Sequence, residues 1–278
     1  MYNIIGSLGV MQGRLLPKFQ GRYQAHPVGY WQKEFFIASE LGLDYIEFIL
    51  DFNDLEQNPL TTQIGIQEIK DVIQKSGVAI RSICADYFME APLHSSNQII
   101  ASHSKAVLKK LMDNGKELGL TDIVIPCVDQ STLQDQGAQD KLVAALTPFL
   151  ELAEKTDINL ALETDLSPKS FLTLLKRFDS SKITVNYDTG NSASLGFDPI
   201  EEFALYGDRI SDIHIKDRKL HGSSVILGSG DTDFNSFFKA LNKITFKGPL
   251  IMQVYRDEEG VSVFKEQLAW LKQFLNNS

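Results

Sequence analysis

Short runs of apolar, often β-branched residues recur along the chain. Each is followed by a longer segment whose apolar positions repeat every three or four residues. The runs are Ile4 to Val10, Tyr45 to Ile49, Val78 to Cys84, Ile123 to Ile125, Asn159 to Leu162, Ile183 to Val185, Ile210 to Ile215 and Leu250 to Val254. Runs this short and this apolar fit strands buried on both faces, as in a parallel sheet. The intervening segments carry one-sided stripes, such as Leu108, Leu111, Met112, Gly115 and Leu118. Leu142, Ala145, Leu146, Phe149, Leu150 and Ala153 form a second stripe, Phe171, Leu174, Leu175 and Phe178 a third, and Phe234, Phe237, Phe238 and Leu241 a fourth. Each stripe predicts a helix with one face laid on the sheet. Ser167-Pro168 and Asp198-Pro199 read as helix starts, and Gly42, Gly77 and Gly119 as helix ends before the next strand.

Eight strand–helix units in succession, with no linker or low-complexity tract, predict an α/β fold: one (β/α)8 barrel domain spanning 1–278. A doubly wound open sheet is the alternative. It needs a glycine fingerprint for phosphate after the first strand, and Gly6, Gly9 and Gly13 lack that spacing. In a barrel the chemistry belongs at the carboxyl ends of the strands.

Composition adds exclusions. Lys plus Arg is 27 and Asp plus Glu is 36, a net charge of -9, which argues against a nucleic-acid partner. Two cysteines, Cys84 and Cys127, make no disulfide scaffold and suit a reducing compartment. No segment approaches the roughly 18 consecutive apolar residues of a membrane span. Residues 1–6 lack the basic-then-apolar pattern of a secretory signal, so the expectation is a cytoplasmic protein without a membrane partner.

Polar residues cluster at the predicted strand ends: Gln12-Gly13-Arg14, Glu47, Asp86, Glu163, Asp188, His214-Ile215-Lys216-Asp217, and Gln253 with Arg256. A carboxylate on a buried strand is costly unless paired or bound to metal. Glu163, Asp188 and His214 fall on three consecutive strands, so they should converge at the barrel mouth. Two carboxylates and an imidazole suit Mn²⁺, Mg²⁺, Co²⁺ or Zn²⁺. A hydrogen-bonded polar layer without metal is the alternative.

Five pieces in order carry a resemblance: Gly42-Leu43-Asp44-Tyr45-Ile46-Glu47, Leu162-Glu163, Asp188-Thr189-Gly190-Asn191, His214-Ile215-Lys216-Asp217 and Gly228-Ser229-Gly230-Asp231-Thr232-Asp233-Phe234. From Tyr45 to Arg256 the chain resembles the sugar-phosphate isomerase/epimerase family with the xylose-isomerase-like TIM barrel. Its nearest likeness is to ketose-phosphate 3-epimerases of the L-ribulose/L-xylulose-5-phosphate type. The resemblance implies one divalent ion held by residues on strands five to eight, here Glu163, Asp188, His214 and Gln253. It also implies a sugar or sugar-phosphate substrate, an enediolate intermediate and a possible homodimer.

The fourth position departs from the family, which has glutamate where this chain has Gln253. The resemblance makes the two glutamates an acid/base pair on opposite faces of the substrate, and an amide cannot ionise. Three readings follow. Glu163 alone shuttles a proton between adjacent carbons, as in aldose–ketose isomerisation. Alternatively Lys216, Asp217, Glu47 or Asp86 replaces the missing group. Or the barrel binds a sugar, or does a lyase or dehydratase step, having lost two-base epimerisation. Glu163 is the expected proton-transfer residue, and Lys216 is expected to stabilise the enediolate or bind phosphate. A related barrel nuclease would need several histidines at the mouth, and among His26, His94, His103, His214 and His221 only His214 lies on a predicted strand.

Further expectations concern substrate contacts. Gly228 and Gly230 lie in the loop where barrels often hold phosphate on backbone N–H groups, and Arg256 is a candidate clamp. Arg14, Arg22 and His26 belong to a first loop that could cover the site. Glu47 and Asp86 are further candidate contacts, and Tyr87, Phe88 and Met89 candidate walls. A plain loop capped by Asp233 is the alternative for the glycine segment.

Overall fold

The structure, a computed structural model, describes residues 7–244 and 246–276; positions 4–6 of the first expected strand lie outside them. Eight parallel strands close into a barrel. They are β1 (Leu8–Met11), β2 (Tyr45–Ile49), β3 (Ala79–Cys84), β4 (Asp122–Cys127), β5 (Asn159–Thr164), β6 (Ile183–Asp188), β7 (Ile210–Ile215) and β8 (Leu250–Met252). They follow one another around the barrel in chain order, and β8 pairs back onto β1.

Strand alternation explains the apolar runs. One set of side chains packs outward against the helices, with Ile46, Phe48, Ile123, Leu160 and Ile213 among its buried members. The other set points into the barrel, where Met11, Ile49, Cys84, Val124, Ala161 and Ile251 form a separate small cluster. The barrel interior is therefore filled with side chains, above which lie the polar residues of its upper rim. β5 and β6 run beyond their apolar runs to include Glu163 and Asp188. A register shift between Val185 and Asn186 sets Asp188 opposite His214.

The helix signals act as their chemistry requires. Ser167 and Asp198 accept backbone N–H bonds at two helix starts, each with proline in the first turn. Gly77 and Gly119 end helices at φ of +75° and +72°, a conformation costly for other residues. The stripe from Leu142 to Ala153 is not one continuous helix. Pro148 lacks the N–H needed in a helix interior, and a 3-10 turn over Thr147–Phe149 separates helices Gln136–Leu146 and Leu150–Thr156. No described helix is long and apolar enough to cross a membrane.

Candidate active site

At the carboxyl ends of β5, β6 and β7, ligand atoms of Glu163, Asp188 and His214 lie within 4.8 Å of one another, and all three residues are buried. His214 Nδ1 is 3.5 Å from Glu163 Oε2 and 4.0 Å from Asp188 Oδ2. The opposite ring nitrogen, Nε2, is 2.7 Å from Glu47 Oε1. Asn186 Nδ2 is 2.7 Å from Glu163 Oε2 and 3.1 Å from His214 Nδ1. An amide nitrogen only donates, so Nδ1 accepts and the imidazole proton sits on Nε2, facing Glu47. A metal-binding histidine needs this arrangement: a carboxylate fixes the tautomer and the remaining lone pair faces the other ligands. The donor set therefore fits one divalent ion, which Glu163, Asp188 and His214 would hold.

A second buried group, Glu47, Asp212 and His214, also has ligand atoms within 4.8 Å. A neutral ring has one lone pair, and Asn186 places it on the Glu163 side. The ring lone pair thus belongs to the upper group. Burial pushes the Glu47 carboxyl up to about 7 and raises Asp212 well above the ordinary carboxylate range, with Glu47 a secondary cause for Asp212.

The two short motifs interlock. Asp188 Oδ1 accepts the Asn191 backbone N–H at 2.8 Å and so caps helix Thr189–Leu195. Asn191 Nδ2 donates to Glu163 Oε1 at 2.6 Å. Thr189 Oγ1 donates to Lys216 O at 2.7 Å and accepts Lys216 N at 2.9 Å, which ties the end of β6 to the residue after β7. Gly190 is needed for closeness: a Cβ there would lie 2.8 Å from Lys216 Cγ. Lys216 Nζ consequently reaches Asp188 Oδ2 at 3.2 Å, Gln253 Oε1 at 3.1 Å and Asn191 Oδ1 at 3.3 Å. Gln253 thus sets its oxygen, the atom able to bind a cation, on the same ammonium that Asp188 binds.

Burial, and secondarily the charge of Asp188, push the Glu163 carboxyl up to about 7. That is a useful range for a proton acceptor near neutral pH. Above it opens a cavity of about 350 Å³ lined in part by Arg14, Gln24, Asp86, Glu163, Lys216 and Gln253. Met89 and Tyr23 also line it, whereas Tyr87 and Phe88 pack into the core. The first loop therefore reaches the site through Arg14, Tyr23 and Gln24. Arg22 pairs with Asp51 and Asp54 instead, and His26 is buried against Gln12 and Phe48.

Glu34 anchors this loop. Its carboxylate accepts Gly13 N at 2.7 Å and Leu15 N at 2.9 Å, on either side of Arg14. Burial outweighs those bonds and pushes Glu34 up to about 7 from 4.5. Between these values the folded chain holds a proton that the unfolded chain has released, so this residue's contribution to stability falls as pH rises across that window. Urea midpoints of the metal-free protein, compared at several pH values, should show a flatter decline in Glu34→Gln. An unchanged slope would remove Glu34 as a source of the pH dependence.

Four expected contacts are corrected by their surroundings. Glu47 is fully buried beneath His214, hydrogen-bonded also to Ser82 at 2.5 Å, and does not line the cavity. Arg256 is buried and donates to the carbonyls of Gly13, Leu16 and Asp257, so it braces the first loop. The N–H groups of Gly228 and Gly230 do not await phosphate, because both donate to Asp217 Oδ2, at 2.9 and 2.8 Å, with Thr232 N on Oδ1. Asp217 is thereby committed as an anchor and is no longer a candidate base. A Cβ on Gly230 would come within 2.0 Å of Asp217 Oδ1. Gly230→Ala should therefore destabilise the fold by about 1–3 kcal/mol, read by urea unfolding. A normal unfolding midpoint would reject the anchor role.

Three contributors carry no sequence signal as isolated residues: Asn186 and Asn191, which hold Glu163, and Gln24, which bonds to Gln253 across the mouth at 3.2 Å. Asn191 stands in the Asp188-Thr189-Gly190-Asn191 piece, and its place one helical turn after a strand-end carboxylate was the available clue.

The chain is similar to known proteins along most of its length. The chain is 25% identical over 242 residues to the putative L-ribulose-5-phosphate 3-epimerase SgbU of Escherichia coli (strain K12), spanning 82% of this chain and 85% of that one. It is 26% identical over 250 residues to 2-epi-5-epi-valiolone 7-phosphate 2-epimerase of Actinoplanes sp. (strain ATCC 31044 / CBS 674.73 / SE50/110), spanning 87% and 89%. Among solved structures, 3-keto-D-glucoside 4-epimerase YcjR from E. coli shares the fold at a TM-score of 0.76 and 16% identity, covering 96% of this chain and 99% of that one. A family model described as xylose isomerase-like TIM barrel matches residues 35–274. The chain belongs to the xylose isomerase-like TIM barrel family.

Proposed function

We propose that the protein is a divalent-metal-dependent isomerase or epimerase of a sugar or sugar phosphate, working through an enediolate. The observation that carries this reading is the convergence of Glu163, Asp188 and His214 beneath a polar cavity, with Gln253 Oε1 on the Lys216 ammonium that also bonds Asp188. The curated relatives named as ketose-phosphate or cyclitol-phosphate epimerases support the substrate class. Glu163, Asp188, His214 and Gln253 would hold the ion. When bound, such an ion polarises the substrate carbonyl and favours the charge that develops on deprotonation.

The chain's own residues divide the remaining work. Glu163 takes the proton from the carbon next to the carbonyl, with both carboxylate oxygens held in place by Asn186 and Asn191. Lys216 holds the developing oxyanion through its ammonium, which already bridges Asp188 and Gln253. Arg14 and Asp86 face the same cavity and orient substrate hydroxyl or phosphate groups. Gln253 cannot return a proton, so the one-base route through Glu163, an aldose–ketose isomerisation, is favoured within the class. Epimerisation would draw its second proton donor from Lys216 or Asp86, the former candidates that still face the cavity. Both cysteines are free and buried, which suits the cytoplasmic setting of the same reading.

The test is proton exchange. Protein loaded with Mn²⁺ is incubated in deuterated water with ketoses, aldoses and their phosphates, and deuterium incorporation is followed by NMR. Incorporation beside the carbonyl with interconversion of sugars supports the reading. Binding without exchange across the panel favours a sugar-binding barrel.

A further inference from the structure

We propose that Gln24 is a positioning residue for Gln253, and that the first loop is built to accept an amide at position 253 rather than a carboxylate. The argument is one of donors and acceptors. Gln24 Oε1 accepts Arg14 Nη2 at 2.8 Å, and Gln24 Nε2 donates to Asp86 Oδ2 at 2.6 Å. Arginine has no acceptor, and a carboxylate accepts, so these partners fix which way the Gln24 amide points. Its oxygen is then the atom left facing Gln253, whose Nε2 donates to it at 3.2 Å. The far end of Gln253 is specified as well: Oε1 accepts Lys216 Nζ at 3.1 Å, and an ammonium only donates.

Both ends of the residue are therefore read by their neighbours, one requiring a donor and the other an acceptor. Only an amide supplies both at neutral pH. A glutamate would set an oxygen against Gln24 Oε1. Turning the Gln24 amide to relieve that contact would oppose it to both Arg14 and Asp86. Gln253 is thus matched to its surroundings, and restoring the family's glutamate by one substitution meets a site built against it. The inference rests on the proposed function for what the Gln253 oxygen binds, while the hydrogen-bond matching stands apart from it.

The experiment introduces Gln24→Ala into three full-length backgrounds: wild type, Gln253→Glu and Gln253→Met. Two readouts are taken, the urea midpoint of the metal-free protein and the Mn²⁺ dissociation constant. In wild type, Gln24→Ala should lower the midpoint and weaken Mn²⁺ binding by about two- to tenfold, the size of one net hydrogen bond. In Gln253→Glu the same change should leave the midpoint unchanged or raise it, and should tighten Mn²⁺ binding, because it removes an oxygen–oxygen contact. Gln24→Ala loses its bonds to Arg14 and Asp86 in every background, so the difference between backgrounds isolates the link to position 253. Gln253→Met, with no polar end, should show an intermediate midpoint effect and serves if Gln253→Glu does not fold. Equal midpoint shifts in all backgrounds would overturn the proposal and leave Gln24 as a loop brace. If no background takes up Mn²⁺, the proposed function fails, and the midpoints still decide the role of Gln24.

Discussion

Replacing Glu163 by glutamine is expected to slow exchange of the substrate's α-proton with solvent by about 10²–10⁴-fold, the usual contribution of one positioned base. Of the two strand-end positions that would carry acid and base, only 163 ionises here, since 253 is an amide. Glu163 faces the cavity, and burial holds its carboxyl near 7 in the metal-free chain. The base acts deprotonated, so the rate should rise with pH through its pKa. A bound divalent cation favours the carboxylate and moves this limb downward. The variant should lose the limb together with the rate. Glutamine at 163 also sets an NH₂ group against Asn186 or Asn191, so its urea midpoint must be measured beside its activity. Glu163→Asp keeps the charge one methylene shorter and should retain part of the exchange. Wild-type exchange in Glu163→Gln would transfer the proton work to Lys216 or Asp86.

The barrel was legible because its pattern is local. Each strand is a short apolar run and each helix a one-sided stripe, and neither needs tertiary knowledge to be recognised. Pro148 was equally visible, yet the stripe runs on across it, because helix faces on either side of a 3-10 turn still meet the same core. Glu163, Asp188 and His214 were legible for a related reason: strand order alone brings the ends of β5, β6 and β7 together.

What the sequence hid was the choice of partner for each polar group. Gly228 and Gly230 present the N–H groups of a phosphate loop, and only the folded chain shows Asp217 already among them. Glu47 was rightly read as a strand carboxylate in need of a partner. That partner, the Nε2 side of His214, is 167 residues away, and nothing local distinguishes it from a substrate hydroxyl. Arg256 lies close after β8 in the same way and is spent on loop carbonyls. A charged or glycine-rich strand end locates the active face, while the assignment of substrate contacts depends on which groups the fold has already satisfied.

Removal of the proposed ligands should have the largest effect on metal binding, and it should be graded. Glu47→Gln keeps all four donors but weakens the carboxylate that holds His214 Nε2, so Mn²⁺ affinity should fall by about 10–100-fold. His214→Ala removes a donor outright and should fall further, to loss of stoichiometric binding. Asp188→Ala confounds two roles, because Asp188 Oδ1 also caps helix Thr189–Leu195. Loss of such a cap alone costs about 1 kcal/mol. Asp188→Asn keeps an acceptor for the Asn191 N–H while removing the charge, so it should stay folded and still lose the ion. Lys216→Met acts in the opposite direction. It removes an ammonium that occupies Asp188 Oδ2 and Gln253 Oε1, so Mn²⁺ should bind more tightly even as turnover falls. Elemental analysis and Mn²⁺ titration read all of these on one scale. A metal site requires the opposed signs of Asp188→Asn and Lys216→Met. A hydrogen-bonded polar layer at the barrel mouth would leave wild type without the ion and show the substitutions only as changes in stability.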